Sequence, residues 1–209
     1  MLKYKKLVLG ELESNCYLVW DEESKEGVII DPGDEGDFIV EEVRALGIIP
    51  IFILATHGHF DHVLGALDVK LSFGIDFACS SKDKFLLDRQ EQTVKHFLKK
   101  DLRIPNIKEI DRDLDSQDFF YLGEEKVEII KTPGHTPGGV SFYSKEAGLL
   151  FTGDTIFAHS RGRTDLSYSS TKKIYESIKK LMELPGETII LPGHGEETSV
   201  GTERDMYKF

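Results

Sequence analysis

The chain has 209 residues, of which 40% are hydrophobic and 30% charged, and its formal net charge at pH 7 is −11. These proportions are ordinary for a globular protein with a sizeable core, whereas so acidic a surface disfavours general binding to nucleic-acid phosphates. Cys16 and Cys79 are the only cysteines and indicate a reducing compartment without a disulfide framework. No stretch resembles a signal peptide or reaches membrane-spanning length, so we expect a cytoplasmic protein without a membrane partner.

Strands and helices are predicted to alternate in the first half of the chain. Apolar runs and alternating patterns predict strands at residues 2–9, 15–20, 27–31, 51–55 and 76–79. Helical spacing predicts one helix that closes at Gly47, a second that follows residue 62 and a charged amphipathic helix over 81–100. The run at 51–55 is uninterrupted, which indicates a strand buried on both faces.

The second half continues with strands and one clear helix. After an acidic turn region at 111–118, strands are predicted at residues 119–122, 126–131, 149–151 and 188–191. A helix is predicted over 170–183, with Ser169 or Ser170 as its N-cap. No low-complexity linker separates the halves, so we expect one domain over 1–209. Two strand-rich halves with helices predict two mixed β-sheets packed face to face, with helices outside.

Residues 56–62, with the sequence Thr-His-Gly-His-Phe-Asp-His, directly follow a predicted strand. Imidazole binds zinc, copper, iron and nickel, and a carboxylate adds a harder ligand. His57 and His59 are expected to point the same way, because side chains of an extended segment repeat every second residue. Asp61 and His62 follow after the chain has begun to coil and project in another direction. One loop is therefore predicted to serve two neighbouring metals, and a merely polar loop is the alternative.

Three further metal-binding side chains, His135, Asp154 and His194, follow later predicted strands beside glycine or proline. Strand ends on one side of a sheet lie close together, so these residues can converge with the first motif. Taken singly, each is also compatible with a local turn. The predicted ligands are His57, His59, Asp61, His62, His135, Asp154 and His194. A catalytic zinc needs about three protein ligands, so this set matches two divalent metals that share a carboxylate. Zinc is expected, and without thiolates iron and manganese stay open.

These motifs resemble the metallo-β-lactamase superfamily, whose pattern is HxHxDH followed by separate His, Asp and His motifs. The resemblance implies a four-layer αββα sandwich with the metals at one edge. It implies that one metal is held by His57, His59 and His135, the second by Asp61, His62 and His194, with Asp154 between them. Asp31, in Ile-Asp-Pro-Gly, resembles the family's first-motif aspartate, which supports the site without ligating, and a plain turn aspartate is the alternative.

Residues 151–157 and 161–165 resemble the glyoxalase II-like branch of the family, which hydrolyses thioesters of the hydroxyacylglutathione type. The resemblance implies a binuclear hydrolase that cleaves a small-molecule thioester by attack of a metal-bound hydroxide. Asp61 is a candidate proton acceptor in that step. Fifteen residues (195–209) follow His194, so we expect the branch's helical C-terminal domain to be absent and glutathione to be in question as the thiol.

Arg161 and Arg163 are candidates for binding a substrate carboxylate. The alternative is a structural loop in which Arg163 pairs with Asp165. His96 is expected to be solvated. His159 follows Asp154 closely and is a candidate for lining the pocket, but no catalytic role is expected for it.

Other functions stay open at this point. Persulfide dioxygenases also resemble this branch, including its Gly-Arg-Thr-Asp run, and bind one iron, here through His57, His135 and Asp154. A lactonase or phosphodiesterase would use the same metal pair. A metal sensor would lack a substrate-sized pocket. The sequence indicates nothing about the oligomeric state.

Overall fold

The computed structural model describes residues 1–99 and 106–207, and its first sheet has six strands in chain order. The strands are β1 (Leu2–Leu9), β2 (Ser14–Asp21), β3 (Glu26–Ile30), β4 (Ile49–Leu54), β5 (Asp76–Cys79) and β6 (Arg112–Asp113). The first three strands pair antiparallel, and β3 to β6 pair parallel. The carboxyl ends of β3 and β4 therefore meet at one edge of the sheet.

The second sheet also has six strands, in the order β14-β13-β10-β9-β8-β7. Its strands are β7 (Phe119–Leu122), β8 (Glu125–Lys131), β9 (Val140–Ser144), β10 (Leu149–Gly153), β13 (Ile189–Pro192) and β14 (Thr198–Ser199). A small separate hairpin contains β11 (Ile156–Phe157) and β12 (Ser160–Arg161). Strands β10 and β13 are parallel neighbours, which brings their carboxyl ends together as well.

Within the described residues there are six α-helices. They are α1 (Gly36–Leu46), α2 (Ala66–Phe73), α3 (Lys84–Asp88), α4 (Gln90–Leu98), α5 (Thr171–Leu181) and α6 (Val200–Met206). Helix α1 ends at Gly47, as predicted, where a φ of 66° suits glycine. The side chain of Ser170 accepts a hydrogen bond from the Lys173 amide and caps α5, which decides between the two predicted caps.

Three apolar layers confirm the predicted αββα sandwich. Strand β2 shows how the layers arise, because its successive side chains point to opposite faces of the sheet. Leu18 packs toward α1 and α2 with Ile39 and Val69, whereas Tyr17 packs between the two sheets against Phe151. A third layer lies between the second sheet and α5 and α6. Two sheets in the middle and helices on both outer faces complete the four layers.

The structure departs from the predicted elements most clearly in the segment 81–100 and at β9. The amphipathic segment 81–100 is not one helix. A short 3-10 turn at Ser81–Asp83 precedes α3, and the non-helical backbone of Arg89 separates α3 from α4. Its predicted end at Lys100 lies outside the described residues. Strand β9 was not predicted, because Ser141 and Ser144 interrupt its apolar pattern. Both serines are buried, and their hydroxyls are hydrogen bonded to neighbouring side chains.

Cys16 and Cys79 are fully buried free thiols. Across residues 1–99 and 106–207, every helix is too short or too polar to cross a lipid bilayer.

Candidate metal centre

Five segments that follow strand ends meet at one edge of the sandwich. Asp31 follows β3, the 56–62 loop follows β4, and His135, Asp154 and His194 follow β8, β10 and β13. The two sheets are joined here, since the Asn15 amide donates to the Gly193 carbonyl at 2.7 Å. The predicted convergence of residues distant in the sequence is therefore present in the fold.

Three histidines form the first cluster, here called triad 1 (His57, His59 and His135). His59 Nδ1 lies 3.0 Å from His57 Nε2 and 2.9 Å from His135 Nε2. Donor atoms of all three residues lie within 4.8 Å of one another. Asp154 Oδ2 completes this side of the centre at 3.4 Å from His135 Nε2.

A second cluster, triad 2 (Asp61, His62 and His194), lies on the other side of Asp154. His62 Nε2 is 3.3 Å from His194 Nε2, and Asp61 Oδ2 is 3.3 Å from His194 Nε2. Asp154 Oδ1 lies 3.5 Å from His62 Nε2. The two carboxylate oxygens of Asp154 thus face different triads, and its buried Oδ1 has no hydrogen-bond partner among the described residues.

Two glycines let these strand ends approach so closely. Gly153 has a φ of 48°, and a Cβ at this position would overlap the Thr56 hydroxyl. A Cβ on Gly193 would overlap Asp154 Oδ1. Bulkier residues would therefore push Asp154 and Thr56 out of their present positions.

The outward ring nitrogens of the histidines show which nitrogen is free to bind a metal. His135 Nδ1 donates to the Arg163 carbonyl and His194 Nδ1 to the Leu12 carbonyl, each at 3.0 Å. A carbonyl oxygen only accepts, so these Nδ1 atoms carry the ring hydrogens. In the neutral rings, the inward Nε2 atoms then carry lone pairs. Histidine ligands of metals are typically oriented by such outward hydrogen bonds.

Asp31 orients two more of these histidines from behind the cluster. The carboxylate is buried and accepts hydrogen bonds from the Thr56 amide at 2.7 Å and the Thr56 hydroxyl at 2.6 Å. Its Oδ2 also lies 3.0 Å from His62 Nδ1. Because the Thr56 hydroxyl donates to Asp31, its oxygen can accept from His57 Nδ1 at 3.1 Å. Asp31 therefore holds His62 directly and His57 through Thr56, and is more than a turn residue.

The two triads differ electrostatically. Burial and the neighbouring histidines lower the pKa of His57, and burial with His135 lowers that of His59 to about 3, so both rings are neutral. Burial lowers the pKa of His62, but Asp61, Asp154 and Asp31 outweigh it and raise that pKa to about 10. In the absence of a metal, the His62 ring of triad 2 therefore stays protonated beside these carboxylates. These carboxylates create a negative potential that favours a cation.

The donor set fits a pair of divalent cations. The Nε2 atoms of His57 and His135 both face His59 Nδ1 in triad 1, and facing lone pairs repel unless a cation or proton lies between them. The orphaned Asp154 Oδ1 and the negative potential in triad 2 favour a cation there. Imidazole nitrogens and carboxylate oxygens suit zinc, iron and manganese alike, so the chemistry of the donors leaves the metal open.

Asp83 is a residue of the site that the sequence did not reveal. Its buried carboxylate accepts hydrogen bonds from the Gly58 amide at 3.0 Å, the Thr136 hydroxyl at 2.7 Å and the Gly138 amide at 2.7 Å. Burial raises the pKa of Asp83 even though these hydrogen bonds lower it. The carboxylate ties the loop of His57 and His59 to the loop of His135, a link between distant segments that has no local sequence signal.

Replacing Asp83 by asparagine is expected to loosen triad 1. The amide can accept from only one side, so either the Gly58 or the Gly138 amide loses its partner, at a cost of about 1–3 kcal/mol in unfolding free energy. Metal affinity should fall about 10-fold, because the partners that orient ligands tune binding. Urea unfolding of the metal-free protein and chelator competition measure the two effects. Unchanged values for both would show that the carboxylate is dispensable.

A cavity of about 260 Å³ opens above the two triads. It is lined by Leu12, His59, Phe60, Asp61, Thr93, Phe97, His135, Asp154, Arg163, Leu166, Tyr168 and His194. One wall thus carries candidate ligands and the others are largely apolar, which is the usual composition of a small-molecule site.

The two predicted substrate-binding arginines occupy different places. Arg163 lines the cavity, but its guanidinium forms a two-pronged ion pair with Asp165, with both N–O distances 2.7 Å. Arg161 lies 4.8 Å above the Tyr175 ring and is outside the cavity lining that the described residues form. Of the two, the structure therefore brings only Arg163 to the cavity, where its guanidinium is already paired with Asp165. His159 and His96 are exposed and also lie outside that lining.

Sequence comparison identifies the family. The sequence model of the metallo-beta-lactamase superfamily matches residues 9–194. The chain belongs to this superfamily. Hydroxyacylglutathione hydrolase GloC of Haemophilus influenzae is 36% identical over 94% of this chain and 92% of its own length.

Solved structures of the superfamily share the whole fold. BLEG-1 B3 metallo-beta-lactamase superposes with a TM-score of 0.89 and 32% identity, over 97% of each chain. TTHA1623, solved in a di-iron-bound form, gives a TM-score of 0.86 and 34% identity over 95% of this chain and 96% of its own. The protein is therefore a metallo-hydrolase-type member of the metallo-beta-lactamase superfamily, with clusters suited to metal ions.

Proposed function

We propose that the protein is a binuclear metallo-hydrolase that cleaves a small-molecule thioester of the hydroxyacylglutathione type. The observation that carries the proposal is the pair of donor triads on either side of Asp154, whose two oxygens face different triads. The similarity to the Haemophilus hydroxyacylglutathione hydrolase, over nearly the full length of both chains, supports the substrate class.

In this proposal, His57, His59 and His135 would hold one cation and Asp61, His62 and His194 the other, with Asp154 available to both. When bound, such a pair lowers the pKa of water toward ~7 and stabilises negative charge that develops on a carbonyl oxygen. Zinc is proposed first, and iron or manganese would satisfy the same donors.

The remaining roles belong to side chains around the cavity. Asp61 Oδ2 lies at the cavity wall, 3.3 Å from the Ser14 hydroxyl, where the carboxylate can accept a proton from the attacking water. Leu12, Phe60 and Phe97 provide an apolar wall for the acyl or thiol group. The thiolate leaves readily, because free thiols have pKa values near ~8.5, so a separate protein nucleophile is unnecessary.

The test is an anaerobic assay of lactoylglutathione hydrolysis by protein reconstituted separately with zinc, iron(II) or manganese. We expect hydrolysis to require metal. We also expect His59→Ala to abolish both hydrolysis and metal binding. His96→Ala is the matched control, because this exposed histidine of α4 is outside the cluster. Hydrolysis that persists fully without metal, or in His59→Ala, would contradict the proposal.

The same preparations separate the rival activities. Oxygen consumption with glutathione persulfide would identify a dioxygenase, whereas a hydrolase should consume none. Turnover of a chromogenic cephalosporin without thioester hydrolysis would instead favour the activity named for BLEG-1, which is 32% identical.

A further inference from the structure

Tyr168 places a phenol hydroxyl between the candidate metal centre and the cavity. Its oxygen lies 2.8 Å from His59 Nε2, and its ring packs edge-on against Phe85 with centroids 5.2 Å apart. The residue lines the cavity. Among residues 1–99 and 106–207, His59 is the hydroxyl's only hydrogen-bond partner.

The orientation of His59 determines the direction of this hydrogen bond. His59 Nδ1 faces triad 1, at 3.0 Å from His57 Nε2 and 2.9 Å from His135 Nε2. If Nδ1 offers its lone pair to a cation, the ring hydrogen must be on Nε2. Nε2 then donates to the Tyr168 oxygen, so the hydrogen of the Tyr168 hydroxyl is left for another acceptor. Tyr168 lines the cavity, which offers space for such an acceptor.

We propose that Tyr168 is a catalytic residue that donates a hydrogen bond to the leaving sulfur of the thioester. The inference rests on the proposed function. During hydrolysis the C–S bond breaks, sulfur keeps the bonding pair, and the water oxygen forms the new C–O bond to the acyl carbon. The water gives up both protons, one to Asp61 as in the proposal above and the other to solvent when the product carboxylic acid ionises. Tyr168 keeps its own proton and stabilises the thiolate until it leaves.

The sulfur is the better candidate than the carbonyl oxygen for a geometric reason. The Tyr168 hydroxyl bonds to Nε2, on the opposite side of the His59 ring from the Nδ1 atom that faces triad 1. A carbonyl oxygen stabilised between the triads is therefore separated from the hydroxyl by the width of an imidazole. The sulfur is attached to the same carbon and can extend along the cavity wall toward Tyr168.

Tyr168→Phe tests the proposal by keeping the ring and removing the hydroxyl. Two thioesters with the same acyl group are compared, one of an alkyl thiol and one of a more acidic aryl thiol, which needs less help to leave. We expect kcat for the alkyl thioester to fall about 10- to 100-fold, as for a hydrogen bond to a charged group, and for the aryl thioester by about 3-fold or less. Tyr121→Phe, at an exposed position of β7, is the matched control and should change neither.

Two further measurements separate this role from a merely structural one. In Tyr168→Phe, water that enters the open cavity can replace the phenol oxygen as the acceptor for His59 Nε2, so chelator competition should give the wild-type metal affinity within about 3-fold. Lost support of His59 would instead lower that affinity about 10- to 100-fold. Calorimetry should show that the metal-loaded variant binds the free alkyl thiol about 10-fold more weakly. Equal slowing of both thioesters, or a loss of metal affinity, would overturn the proposal. Wild-type protein that hydrolyses neither thioester would instead overturn the proposed function.

Discussion

Replacement of Asp154 by alanine is expected to lower the metal content from about two cations per chain to about one or fewer. It should also lower kcat/KM by about 10³-fold or more. Asp154 is the one candidate ligand whose two oxygens face both triads, at 3.5 Å from His62 Nε2 and 3.4 Å from His135 Nε2. Its Oδ1 has no hydrogen-bond partner among the described residues, so the fold depends little on it. Elemental analysis and steady-state kinetics measure the two losses.

The stability of the metal-free protein provides the control for this variant. Its unfolding free energy should stay within about 1 kcal/mol of wild type, because the substitution removes repulsion among carboxylates as well as weak contacts. Asp88→Ala removes an exposed carboxylate of α3 and should leave metal content and activity unchanged. Full metal content and full activity in Asp154→Ala would refute the shared-carboxylate arrangement.

Alanine at Asp31 is expected to weaken metal binding about 10- to 100-fold although this residue does not face the cations. The buried carboxylate holds His62 Nδ1 at 3.0 Å and orients His57 through the Thr56 hydroxyl. Its loss also leaves the buried Thr56 amide without an acceptor, which should lower the unfolding free energy by about 1–3 kcal/mol. Chelator competition and denaturant unfolding test both effects.

Asp31→Asn is the graded comparison. Its remaining oxygen can still accept from the Thr56 amide, and asparagine tolerates the left-handed backbone at this position, where φ is 51°. Its NH2 group is a donor and cannot accept the ring hydrogen on His62 Nδ1, so the hydrogen bond to His62 is lost. We therefore expect the asparagine variant to retain stability better than alanine while losing metal affinity to a similar degree. Wild-type affinity in both variants would contradict the role assigned to Asp31.

The positions of the candidate ligands could be predicted because they follow a simple physical pattern. All of them follow strands predicted from apolar residues, and most stand beside glycine, as at His194 between Gly193 and Gly195. Strand ends at one edge converge, so the pattern locates side chains that are distant in the sequence. The αββα arrangement followed from the same strands and from the family resemblance.

The partners of those ligands could not be predicted in this way. Backbone carbonyls of Leu12 and Arg163 orient His194 and His135, and a backbone atom leaves no trace in residue type. Asp83 and Tyr168 reach the site from elements that only tertiary packing brings near. Of the two predicted arginines, only Arg163 reaches the cavity, because Arg161 belongs to the unpredicted strand β12 and lies over the Tyr175 ring.

The most direct test of the metal centre is anomalous diffraction from crystals of the zinc-reconstituted protein, recorded on either side of the zinc absorption edge. We expect about two anomalous peaks. One should lie among His57, His59 and His135 and the other among Asp61, His62 and His194, with Asp154 touching both. Peaks elsewhere, or none in well-ordered crystals, would contradict the account.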